Sequence, residues 1–126
     1  MDTIDAIVSD LETFTEQRII QLSIGITNVL IVDTPRDTSW ARANWIPSVG
    51  SAFEYDAPNE GDPALVASIA AAGQAELLSF KLSDQSTFVT NNVPYITILN
   101  EGWSKQAPAG FVQAAVARKV RELETV

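Results

Sequence analysis

Neither cysteine nor histidine occurs among the 126 residues. Without cysteine there are no disulfides, no thiolate zinc sites and no thiol nucleophile. Without histidine the Ser-His-Asp and Cys-His schemes are excluded, together with histidine-ligated metals and the usual acid/base group near neutral pH. Positive charge is also scarce: 8 basic residues face 16 acidic ones, a net charge of −8. Such a field repels nucleic-acid phosphates and anionic membranes unless the few cations cluster. Long apolar runs are missing as well. The most apolar stretch, 19–32, is broken by Gln21, Ser23, Thr27 and Asn28, whereas a bilayer span needs about 20 apolar residues. The acidic opening Asp2–Asp5 is unlike a secretory signal. The expectation is a soluble protein made and used in the cytoplasm.

What is present suits one domain. An apolar fraction of 46% against 19% charged is ordinary globular usage, enough for a core without staples. Residues 3–32 have the spacing of one long helix: Ile4, Ile7, Val8, Leu11, Phe14, Arg18 (through its stem), Leu22, Ile26, Val29 and Leu30 recur in steps of three and four. Pro35 ends it, because the residue before a proline is pushed out of the helical region. At 1.5 Å per residue the rod is about 45 Å long, more than a compact domain of this size spans. Part of it is expected to project or to pack on another copy. Gly25 is either a bend or a small contact residue.

Further along, 41–52 alternates loosely and predicts a strand, with Pro47 confining it to an edge. Asp62-Pro63 opens a second helix that ends near 80–82, with Leu65, Ile69, Ala72, Leu77 and Phe80 sharing a face. A short strand at 86–90, a short helix at 96–100 stopped by Gly102 and a last helix at 111–123 follow. Val112, Val116, Val120 and Leu123 form the stripe of that last helix. The prediction is an α+β fold in which a long N-terminal helix and a C-terminal helix pack on a small, mostly antiparallel sheet.

The search for chemistry is short. Glu54, Asp56, Glu60 and Asp62 lack the ligand alternation of a calcium loop, and Pro58 and Gly61 mark a solvated connection. Asp33 and Asp37 flank Pro35, where turn and capping chemistry explains them better than catalysis; Asp37 could pair with Arg42 or with an arginine of a neighbouring copy. Trp45 reads as core, and Trp103, between Gly102 and Ser104, as a contact residue. Asn91-Asn92 reads as a turn whose amides bond their own backbone, with Pro94 fixing the exit. Arg118, Lys119 and Arg121 sit where a helix C-terminus favours cations. No phosphate loop, zinc spacing or nucleophile elbow is present.

Three blocks say more together. Residues 32–45, containing Thr34-Pro35-Arg36-Asp37-Thr38-Ser39 followed by Arg42 and Trp45, resemble the TPVDTG-x-x-R-x-x-W stretch of the small neck or tail-completion proteins of long-tailed bacteriophages. Thr90-Asn91-Asn92-Val93-Pro94-Tyr95 with Leu99 and Gly102 resembles that family's TNN-x-PY…L-x-x-G stretch. The segment from Ser104 to Val112 resembles its SKQAP entry into the last helix. The blocks occur in the family's order and span nearly all of the chain. Ser39 departs from the pattern, which has glycine there, so the local turn is expected to differ.

The resemblance implies a tail-terminator-like α+β domain over 1–126 and a non-enzymatic structural protein of the virion. It implies a homo-oligomeric ring, typically a hexamer, between the portal-side connector and the tail tube, assembled in the host cytoplasm. Double-stranded DNA would pass through without specific binding, and no cofactor, metal or membrane is involved. Contact residues are then sought in Asp33, Thr34, Pro35, Asp37, Arg42 and Trp45, in Asn91, Asn92, Pro94 and Tyr95, and in Trp103, Gln106 and Pro108. More broadly, the loops 33–40, 54–61 and 102–109 are candidate contact segments, and some carboxylates are expected to line the passage. Two rivals are an acidic binding module that mimics DNA or inhibits an enzyme, and a metal-dependent enzyme with carboxylates clustered in a cleft.

Overall fold

A computed structural model of the chain describes residues 3–35, 39–54 and 63–124. Helix α1 runs unbroken over Thr3–Asp33 and stops where Pro35 forbids continuation. A 3-10 turn at Arg42–Asn44 leads into strand β1, Ile46–Val49. Helix α2 covers Pro63–Leu78, and a second 3-10 turn at Leu82–Asp84 precedes strand β2, Thr87–Thr90. The short helix α3, Ile96–Asn100, and helix α4, Phe111–Glu124, complete the order. The two strands pair antiparallel, with Ile46 opposite Thr90 and Val49 opposite Thr87. The architecture is α+β, a two-stranded antiparallel ribbon carrying long N- and C-terminal helices.

The core lies where the second half of α1 meets α2, α4 and the ribbon. Leu30, Ile31, Trp45 and Ala115 form its centre, with Ile26, Val29, Val66, Ala70, Val89, Ile96 and Val112 packed around them. Leu77, Phe80 and Val93 are also fully buried. Ser23 and Thr27 lie on this buried face because each hydroxyl bonds back to the carbonyl four residues earlier, Ile19 and Ser23 respectively. The Ser23 hydroxyl also meets Thr87 Oγ1 at 2.7 Å, tying α1 to β2. Gly25 proves to be a contact residue, since a Cβ there would touch the Lys119 stem at 3.4 Å.

Three expectations need correction. The strand expected over 41–52 shrinks to four residues, because Arg42–Asn44 winds into a 3-10 turn that carries Trp45 into the core. The buried edge of α2 runs through Val66, Ala70, Gly73 and Leu77, while Leu65 and Ala72 are exposed. The cause is Pro47, whose ring sits on Gly73 so closely that a Cβ there would lie 2.6 Å from it. On α4 the seam is centred on Phe111 and Ala115, and Val116 and Val120 stay at the surface. Ala115 is small enough to let α1 approach closely on that side. In α1 residues 3–15 are all exposed, so the apolar stripe is covered only in its second half, in keeping with the expectation that part of the rod projects.

Candidate functional site

The three sequence blocks come together at the C-terminal end of α1. A helix end leaves carbonyls without intrahelical partners, and the first block supplies some of them. The Thr34 hydroxyl donates to the Leu30 carbonyl and accepts from Trp45 Nε1 at 2.7 Å. Arg42 Nε donates to the Ile31 carbonyl at 2.9 Å. Asn44 Nδ2 bonds the Trp40 carbonyl at 2.8 Å, and the Ala43 amide bonds the Ser39 carbonyl at 3.0 Å. Ser39 adopts φ 58°, the left-handed region that glycine occupies freely. The turn therefore keeps a glycine-type conformation despite the serine.

The second block is tied to the first. Asn91 Nδ2 donates to the Ala41 carbonyl at 2.9 Å while its Oδ1 accepts the Val93 amide at 3.0 Å, an Asx turn. Asn92 Nδ2 reaches the Phe53 carbonyl at 3.0 Å. Trp40 and Tyr95 meet edge to face, 5.6 Å between centroids. The third block is tied to the second through Asn100. Its carbonyl accepts the Gly110 amide at 2.7 Å, its Oδ1 accepts the Val112 amide at 3.0 Å, and its Nδ2 donates to Gln113 Oε1 at 2.9 Å. Asn100 thus caps the start of α4 from the end of α3. Sequence reading missed this role; the signal was an asparagine, a good capping residue, just before a helix-stopping glycine. Gly102 has φ 94°, and a Cβ there would press on Ala109 at 3.2 Å. Any side chain would be strained there and would push the two loops apart.

These ties sort the candidate residues. Thr34, Pro35 and Trp45 are buried and architectural, so their expected role as direct contact residues is withdrawn. Arg42, Asn91 and Tyr95 are half-buried and engaged within the chain. Asn92, Pro94, Trp103, Gln106 and Pro108 face outward, with Trp103 78% exposed. Asp33 pairs with Arg118 at 3.4 Å. Asp37, and with it the suggested Asp37–Arg42 pair, lies outside the described residues. An open pocket of about 690 Å³ lies between the end of α1 and the loop before α4, lined by Asp33, Thr34, Gln106, Pro108, Phe111 and Arg118 among others.

Elsewhere, Lys119 pairs with Glu122 at 2.9 Å, so two of the three α4 cations already have acidic partners. Of the acidic run, Glu54 is exposed and Asp56, Glu60 and Asp62 lie outside the described residues, as does the Asp62 helix cap. Among the described residues no three carboxylates gather around a metal-sized site, and no helix is long and apolar enough to cross a membrane. No family model, curated protein or solved structure matches the chain.

Proposed function

We propose that this chain is a structural subunit of a bacteriophage head–tail junction. It forms a homo-oligomeric ring, a hexamer by analogy with the family it resembles, between the portal-side connector and the tail tube or its terminator. In that role it resides in the virion, and double-stranded DNA passes through its centre. The reading rests on the resemblance of the three blocks. The observation that best supports it is that the first block, far from the other two in sequence, joins the second through the Asn91–Ala41 hydrogen bond, while Asn100 ties the second to the third, so that all three build one end of the molecule.

The distribution of apolar surface agrees with an adaptor. One end of the α1 rod exposes Ile4, Ile7, Val8 and Leu11, and the loop at its other end exposes Trp103. The stripe on α1 is an exposed apolar row of the kind that marks a contact surface, and Trp103 is the most exposed large apolar side chain. A ring subunit needs two such surfaces of different shape, because a head-to-tail contact joins unlike faces.

Electron microscopy of particles assembled without this chain tests the reading. The expected result is full heads and finished tails that do not join, or tails that stay incomplete. Normal infectious particles in its absence would overturn it, as would virions that contain none of the chain.

A further inference from the structure

Helix α1 carries its apolar stripe past the point where the rest of the fold stops covering it. Residues 3–15 are exposed throughout. Ile4, Ile7, Val8 and Leu11 stand at positions i, i+3, i+4 and i+7 of one face, and Phe14 continues the row; Val8 is the least exposed of them at 47% and Ile4 the most at 71%. Anchors at this spacing are how one helix docks against another polypeptide. The free stretch is about 20 Å long, at 1.5 Å per residue.

Charge on this stretch has one sign. Asp2, Asp5, Asp10, Glu12 and Glu16 all precede the first cation, Arg18. With 3.6 residues per turn, Asp10 lies about 100° to one side of the centre of the stripe and Glu12 about 100° to the other. The apolar row is therefore bordered by a carboxylate on each side. Neither Asp10 nor Glu12 belongs to an ion pair among the described residues. Arg18 is turned away from them, over the Phe14 ring at 5.5 Å from its centroid and toward the Leu123 carbonyl.

We infer that this face docks a basic amphipathic helix of a partner protein, one whose own apolar stripe is bordered by lysine or arginine. Opposite charges along the borders of two facing apolar seams fix partner and orientation. The inference rests on α1 alone and not on the ring reading; in a ring, the stripe meets the adjoining protein and leaves the copy-to-copy contact to other faces. A second copy is a poorer match. Two such stretches side by side set carboxylates against carboxylates. Nor does the chain offer a basic helix in exchange: α2 and α3 contain no cation, and on α4 Arg118 and Lys119 are already paired, while Glu122 and Glu124 flank Arg121 in the last turn.

The full-length chain is titrated with a fluorescent helical peptide of about 18 residues, long enough to match the free stretch, with leucine on its stripe and lysine along both borders. A twin peptide carries glutamate in place of lysine. Fluorescence anisotropy should show the lysine peptide binding about tenfold or more tightly than its twin, and added salt should weaken it. Two variants separate a docking face from mere net charge. Ile7→Gln with Leu11→Gln keeps every charge and should weaken the lysine peptide by about tenfold or more, the scale for losing central contact residues. Asp10→Lys with Glu12→Lys should remove the preference for lysine. All four positions are exposed, so the core is untouched. Equal binding of the two peptides, binding of neither, or unchanged binding to the glutamine variant would overturn the proposal. So would a wild-type chain that self-associates at micromolar concentration and loses that association in the glutamine variant, an outcome that assigns the stripe to a second copy.

Discussion

The two halves of α1 have the same sequence rhythm and opposite surroundings. Leu11 and Leu30 both lie on the apolar stripe. Leu11 is 59% exposed and Leu30 is 2% exposed. In the second half, α2, α4 and the ribbon close over the stripe, and the turn after Pro35 locks the helix end. In the first half none of the described elements covers it. Periodicity states which face of a helix is apolar, but says nothing about which molecule covers that face. An isolated helix of about 13 residues is marginal in water, so the free half depends on continuity with the packed half, or on another copy.

Truncation in the packed half gives the largest expected effect. Leu30→Ala should cost about 2–5 kcal/mol, the range for a fully buried leucine whose cavity cannot collapse. Urea denaturation measures it, and a loss below about 1 kcal/mol would mean that α1 is not held where the core places it. Thr34→Val comes next. It removes the hydroxyl that accepts from Trp45 Nε1 and donates to the Leu30 carbonyl. The buried indole N–H is then left without that acceptor, at a cost of about 1–3 kcal/mol. A valine variant as stable as the wild type would show that this lock does not anchor the helix end.

The order of elements was readable because its signals are local. Pro35 ends α1, Gly102 follows α3 with the expected positive φ, and the Asx turn at Asn91 is written in its side chain. Trp45 was correctly read as core. What failed was tertiary. Nothing local says that Arg42–Asn44 will wind tightly instead of extending. The shift of the buried edge of α2 depends on Pro47 meeting Gly73, a contact between two segments that the sequence gives no reason to pair. The candidate site was half readable for the same reason. The blocks were visible, but the division of their residues into ties (Thr34, Trp45, Asn91) and outward-facing groups (Trp103, Gln106, Pro108) needed coordinates. Asn100, which joins two blocks, was visible only as a helix end.

Ser39 offers a smaller effect in the opposite direction. At φ 58° a residue with a Cβ pays a steric cost that glycine does not. Glycine in turn loses more backbone freedom on folding. Ser39→Gly should therefore raise stability by about 0.5–1 kcal/mol, read as a higher urea midpoint with an unchanged slope. A loss of stability would show that the serine side chain holds the turn more firmly than the backbone strains it.

Leu11→Ala, in the free half, should change the stability of the dilute chain least of all. Leu11 is 59% exposed, so truncating it opens no core cavity and costs little buried area. Alanine is also a slightly better helix former than leucine, which sets the sign as neutral to weakly stabilising, within about 0.5 kcal/mol. Measured beside Leu30→Ala in the same urea series, it makes one substitution report on both halves of one helix. The difference between the two should shrink as protein concentration rises wherever another copy covers the stripe and turns Leu11 into a buried residue. A difference that stays constant from micromolar to millimolar protein would mean that the first half of α1 stays uncovered by its own kind.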